Sequence, residues 1–120
     1  MARILIIEDE AALRRMIAEE LREAGHEVGE AGDGEEGLRL ARATRPQIIL
    51  SDIGMPRLNG FKLKQALDSA GAAATFVYIS GRDSRDAVAD GLMMGAAHYF
   101  TKPIDMDRLH AVIGAAARAA

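Results

Sequence analysis

Residues 47–56 read QIILSDIGMP, a short β-branched apolar run that ends at an acid and passes into a loop containing proline. Such a run suits a strand buried on both faces, which puts Asp52 at its carboxyl end. Asp52 is not placed to cap a helix directly, because Ile53, Gly54, Met55 and Pro56 follow it as loop. Outward from this stretch the same kind of segment recurs. RILII (3–7) and FVYI (76–79) are apolar without alternation, as central parallel strands are. HEVGEA (26–31) alternates polar and apolar residues and suits a half-exposed edge strand, and AHYFT (97–101) is a weaker strand candidate.

Helical patterns lie between the strands. Residues 10–24 place Leu13, Ile17 and Leu21 at i, i+4 and i+8, with Ala12 and Met16 broadening the stripe and Gly25 stopping it. Asp33 caps a second helix through about Thr44, with Leu38 and Ala41 inward, and Pro46 then forces the chain extended. Asn59 caps a third helix carrying Leu63 and Leu67. Asp83, with Asp86 three residues on, opens a fourth that bears Val88 and Leu92 and ends near Gly95. Asp105 opens a fifth with Leu109, Val112, Ile113 and Ala116. The order is βα five times, which predicts an α/β, doubly wound, five-stranded parallel sheet with helices on both faces. Chemistry in such sheets sits outside the carboxyl ends of the strands.

The chain's 120 residues predict one domain, spanning 1–120, and 49 % apolar residues are enough to bury its core. With no Trp and five other aromatics that core is aliphatic. The absence of cysteine excludes disulfides, zinc–thiolate sites and thiol nucleophiles. Fifteen basic against eighteen acidic residues is too balanced for a nucleic-acid surface, and no apolar run approaches a membrane span. The start, MARILIIEDE, turns acidic before a secretory h-region develops, so a cytoplasmic location is expected.

The strand ends gather Glu8 and Asp9, Asp52, Ser80, and Lys102 followed by Pro103 at one sheet edge. Carboxylates brought this close repel, by about 4 kcal/mol per pair at 4 Å and an effective dielectric of 20. Lys102 supplies one compensating charge, and a divalent ion supplies two; hard oxygen donors without His or Cys favour Mg²⁺. A protonated acid is the other way out. The set fits phosphoryl transfer to an aspartate, which needs positioning and charge stabilisation. No Walker loop, HExxH or GxGxxG is present.

With these residues in place, the chain resembles the receiver domain of bacterial two-component response regulators. The resemblance is carried by LIIEDE (5–10), ILSDIGMPRLNGF (49–61), YISGR (78–82) and GAAHYFTKP (95–103), and it covers essentially the whole chain. It implies the flavodoxin-like (βα)5 fold with strand order 2-1-3-4-5. It implies Asp52 as phospho-acceptor, with Mg²⁺ held by Glu8, Asp9, Asp52 and the Gly54 backbone carbonyl. Ser80 and Tyr99 take the switch positions and Lys102 pairs with the phosphate, before a cis peptide at Pro103. Gly54 and Arg82, two residues beyond Asp52 and Ser80, flank the path of attacking water and are expected to modulate phosphate lifetime. The implied partners are a histidine kinase or histidine phosphotransfer protein, and an output domain or downstream protein. The output is reached through a face made by the fourth helix, fifth strand and fifth helix, with Asp90, Met94, His98, Tyr99 and Arg108 as surface candidates. That face also allows a phosphorylation-dependent homodimer. No direct nucleic-acid or membrane contact is expected of this domain, and no enzymatic activity beyond its own phosphorylation and dephosphorylation.

Departures from the commonest pattern are the Glu-Asp acidic pair, Ser80 in place of Thr, and Gly81 where a small Ala is common. Plainer readings stand beside the functional ones. Tyr99 suits a half-buried strand aromatic, and His26, His98 and His110 are isolated structural or surface groups. Met93 and Met94 suit adaptable packing, and Arg39, Arg42 and Arg45 a solvated face. A degenerate receiver would have lost an acid, the hydroxyl or the Lys, and none is missing. A haloacid-dehalogenase-type phosphatase would need an Asp where Gly54 stands, and a flavin-binding domain is weaker still because the acidic edge repels phosphate. The Ala-rich end GAAARAA suits either a free-standing receiver or one joined to a DNA-binding, enzymatic or kinase module.

Overall fold

The computed structural model describes residues 1–53, 60–69, 71, 74–81 and 98–119. Along them run β1 (Arg3–Ile7), α1 (Ala11–Glu23), β2 (Glu27–Ala31), α2 (Gly34–Thr44), β3 (Ile48–Asp52), α3 (Gly60–Ser69), β4 (Thr75–Ser80), β5 (His98–Thr101) and a C-terminal helix (Met106–Ala119). The five strands form one parallel sheet in the order β2-β1-β3-β4-β5, as expected from the sequence.

Side chains alternate across each strand, and the sheet sorts them into two aliphatic cores. Ile4, Ile6, Ile48, Leu50, Val77, Ile79 and Phe100 meet Ile17, Ala18 and Leu21 of α1 and Leu109 and Ile113 of the C-terminal helix. Leu5, Ile7, Ile49, Phe76, Tyr78 and Tyr99 meet Ala41 of α2 and Leu63 and Leu67 of α3. The alternating strand β2 lies at the edge and stays half-exposed. Because every inner strand is buried on both sides, the pairing register is tightly specified. Asp52 lies opposite Ile79, and Ser80 opposite Thr101.

Several local expectations change. β3 runs two residues past the apolar run, so Asp52 is the last residue of the strand. β4 gains Thr75 and Ser80, and β2 begins at Glu27. Met16 is 43 % exposed and Ala12 is exposed, whereas Ala18 is fully buried. The buried stripe of α1 therefore turns toward Ala18, where a small side chain lets helix and sheet approach. α2 ends on Arg45 in the left-handed region (φ 48°), not in the extended conformation expected before Pro46. Its amide bonds Ala41 O at 3.0 Å, and the Arg3 guanidinium holds its carbonyl at 3.0 and 3.3 Å. Both expected caps that lie among the described residues form. Asp33 accepts from the Glu36 amide at 2.8 Å, and Asp105 accepts from the Arg108 amide at 3.2 Å. The expected fourth helix, including Asp83, Asp86, Val88, Leu92 and Gly95, lies outside the described residues, as does Asn59.

Gly37 sets how closely α2 approaches β1. A Cβ there would fall 2.5 Å from Ile7 Cδ1 and 2.8 Å from its Cγ1, and Ile7 is fully buried. Alanine gains about 1 kcal/mol of helix propensity but overpacks at about 1–3 kcal/mol. Gly37→Ala is therefore expected to lower the urea midpoint at unchanged m. The loss should shrink in an Ile7→Val background, where Cδ1 is gone; equal losses in both backgrounds would refute the contact.

His26 ties the start of the chain to the strand layer, its Nδ1 accepting from the Ala2 amide at 3.0 Å. Burial, then the N-terminal ammonium and His110, hold its imidazole below the ordinary value. The unfolded chain thus takes up this proton first, and stability falls as pH drops below about 6.5. His26→Asn keeps an acceptor and removes the proton site. Denaturation midpoints measured from pH 7.5 to 5.5 should fall less in that variant than in the parent.

Candidate functional site

Three strands deliver the charged groups to one edge. Glu8 follows β1, Asp52 ends β3, and Lys102 follows β5. Lys102 reaches across β4, its own amide donating to the Ser80 carbonyl at 2.8 Å, and its peptide bond to Pro103 is cis. The ammonium lies 3.0 Å from Asp52 Oδ2, with hydrogen-bond geometry, and 2.8 Å from Glu8 Oε1. The second approach is a charge pairing without a directed hydrogen bond. Glu8 Oε1, fully buried, accepts none. The other Glu8 oxygen accepts from the Glu10 amide at 3.1 Å.

The electrostatics follow from this crowding. Glu8 is 0 % exposed, and burial pushes its carboxyl up to about 7. Lys102 and the Glu10 amide pull it down, while Asp9 and Asp52 push it up again. Burial alone would lower Lys102, but the two carboxylates outweigh it and raise the ammonium above its ordinary value. Lys102 is thus a fixed positive charge at neutral pH. Glu10, largely exposed, adds a longer contact of 3.9 Å to the same ammonium.

Glu8, Asp9 and Asp52 each offer an oxygen, and these lie within 4.8 Å of one another. With all three ionised, three carboxylates against one ammonium leave two negative charges, which a divalent cation would balance. All-oxygen donors, with Asp9 open to solvent beside the buried carboxylates of Glu8 and Asp52, fit a hard cation such as Mg²⁺.

Ser80 is buried at the end of β4. Tyr99 is 7 % exposed and packs in the same apolar cluster as Ile53 and Tyr78, more deeply than a half-buried aromatic. The structure therefore brings Glu8, Asp9, Asp52 and Lys102 together, with Ser80 on the adjoining strand. Gly54 and Arg82 lie outside the described residues, as do Asp90, Met93 and Met94. Sequence reading placed Glu10 only as a helix start, and gave no role to Arg14. Arg14 donates from Nη1 to the Glu8 carbonyl at 2.9 Å. Its signal in the sequence is slight, an arginine one turn into the helix that follows the acidic pair.

The model of the response regulator receiver domain matches residues 4–114. The chain belongs to this family. Among curated relatives, this receiver domain is 40 % identical over 108 residues to the transcriptional regulatory protein PdtaR of Mycobacterium tuberculosis, covering 89 % of this chain but 52 % of PdtaR. It thus spans about half the length of that relative. It is 36 % identical over 117 residues to PilH of Pseudomonas aeruginosa, covering 96 % of this chain and 97 % of PilH. Among solved structures, the Francisella response regulator 1452 receiver domain matches with a TM-score of 0.94 and 26 % identity over 99 % of this chain and 98 % of that one. The Vibrio cholerae chemotaxis protein CheY4 matches with 0.89 and 28 % over 97 % and 98 %. No described helix of the receiver domain is long and apolar enough to cross a membrane.

Removing the shared ammonium should be costly to this receiver domain. Breaking a buried ion pair from one side costs about 3–5 kcal/mol. Lys102 is 24 % exposed, so a smaller loss is expected for Lys102→Met, read by urea unfolding in EDTA. Wild-type stability in that variant would show that the ammonium does not hold the two acids.

Proposed function

We propose that this receiver domain accepts a phosphoryl group on Asp52 from a phosphohistidine of a histidine kinase or histidine phosphotransfer protein, and passes the change to an output partner. The observation that carries the reading is the shared ammonium of Lys102 between Asp52 and Glu8 at the carboxyl edge of the sheet. An Asp52 oxygen forms the bond to phosphorus as the donor's N–P bond breaks, and the imidazole leaves. In the discharge, water attacks phosphorus, the bond from the Asp52 oxygen to phosphorus breaks, and inorganic phosphate leaves as the Asp52 carboxylate is regained. Mg²⁺, when bound, neutralises charge on the phosphoryl oxygens. Glu8, Asp9 and Asp52 would hold it, with the Gly54 carbonyl named from the family resemblance.

The chain's own groups do the rest. Lys102 stays protonated and pairs with the incoming charge, which a phosphoryl group raises by about −1.5 to −2. Ser80 supplies a hydroxyl on the strand whose carbonyl holds the Lys102 amide. Added charge favours the arrangement in which Ser80 and Lys102 both face the phosphoryl oxygens, and this biases a two-state equilibrium. The read-out runs through β5 and the C-terminal helix. There the Arg108 guanidinium lies 4.1 Å from the Phe100 ring centroid, and its Nη2 donates to the Tyr99 carbonyl at 3.4 Å. The expected fourth helix, with Asp90 and Met94, completes that face in the family pattern. The partner is an attached output module or a separate protein, and a phosphorylated pair of chains can use the same face. In this reading the protein works in the cytoplasm and catalyses no reaction beyond its own phosphorylation and dephosphorylation. Gly54 and Arg82 set how long the phosphate lasts.

Incubation with acetyl phosphate and Mg²⁺ should add the mass of one HPO₃ group by intact mass spectrometry, and Asp52→Asn should abolish the adduct. Lys102→Ala should keep Mg²⁺ binding but lose the phosphorylation-dependent change in the amide spectrum. An adduct that persists in Asp52→Asn, or no adduct in the parent, would sink the assignment.

A further inference from the structure

Resting on the reading of Glu8, Asp9 and Asp52 as a cation site, we infer that Arg14 is a positioning residue for that site, acting on the Glu8–Asp9 peptide from outside the acidic cluster. The main chain of Glu8 is pinned on both sides. Its amide donates to the Ala31 carbonyl of β2 at 3.0 Å, and its carbonyl accepts from Arg14 Nη1 at 2.9 Å. A peptide unit is planar, so holding the Glu8 carbonyl also sets the direction in which Asp9 Cα leaves the strand. Asp9 is exposed, and its carboxylate does not gain its position from packing.

Arg14 is itself locked. Its Nε donates to Glu30 Oε1 of β2 at 3.3 Å, and the other Glu30 oxygen is held by Arg22 Nη1 at 3.2 Å. Arg22 Nη2 in turn donates to the Val28 carbonyl at 2.8 Å. The Arg14 side chain is only 18 % exposed, and a Cβ on Gly32 would lie 3.4 Å from Nη1, so the loop after β2 closes over it. Arg22, Glu30 and Arg14 thus form a brace running from the edge strand to the first acid of the site. The fork geometry matters, because one guanidinium must serve a carboxylate and a carbonyl in different directions.

The sign of the effect separates positioning from plain charge. If Arg14 acted only as a nearby positive charge, its removal would tighten the binding of a divalent cation. A brace predicts the opposite. Outer partners of metal ligands are worth roughly 10–100-fold in affinity. Arg14→Met should raise the Mg²⁺ dissociation constant by about tenfold, followed by amide chemical shifts in NMR titration. In EDTA the same variant should show faster hydrogen exchange at the Glu8 and Asp9 amides, with unchanged circular dichroism. Arg14→Lys keeps the charge but not the fork and should also bind Mg²⁺ more weakly; it serves as the milder variant if Met impairs folding. Binding within about twofold of wild type in both variants, or tighter binding in either, overturns the brace while leaving the cation site standing. Absence of saturable Mg²⁺ binding in the wild type removes the functional reading and the brace with it.

Discussion

A single ammonium joins the outer part of the sheet to its centre. Lys102 leaves β5, crosses the end of β4 and places its charge between Asp52 of β3 and the buried Glu8 after β1. Without it two acids would face each other in a site from which Glu8 has lost all contact with water. The attraction does not erase the cost. Glu8 remains raised to about 7, because burial outweighs the pull of the ammonium and the Glu10 amide.

The scaffold around this edge is rigid for ordinary reasons. Two aliphatic cores, one on each face, fix the register of β1, β3 and β4, and the register in turn fixes which side chains emerge at the strand ends. Close approach of α2 at Gly37 and of α1 at Ala18 keeps both layers near the sheet. The charged groups therefore sit at the end of a sheet packed on both faces. The Arg22–Glu30–Arg14 brace extends that scaffold to the one acid, Asp9, that packing does not hold.

Much of this was legible in the chain because it depends on short-range patterns. Uninterrupted apolar runs marked the inner strands, the alternation in HEVGEA marked the edge, and Asp33 and Asp105 announced helix starts through capping. Asp52 and Lys102 stood out because each follows an apolar run where a parallel sheet opens. Other features were not legible. Met16 and Ala18 are equally plausible members of a helical stripe, and only the closeness of helix to sheet selects the smaller one. Arg45 adopts a left-handed cap before a proline because the Arg3 guanidinium, more than forty residues away, holds its carbonyl. Glu10 and Arg14 carry no periodic signal, since their roles depend on where a flexible side chain can reach.

The βα order, the apolar faces and the residues available at the strand ends follow from local hydrophobicity, capping and turn chemistry, and so are written along the chain. Folding in three dimensions seals Glu8 from water while Asp9 stays open, lets one ammonium serve Glu8 and Asp52, and brings Arg14 onto the Glu8 carbonyl. Those outcomes depend on distances between groups brought together from separate strands and helices. They are set by sheet register and by desolvation, which no local stretch of chain encodes.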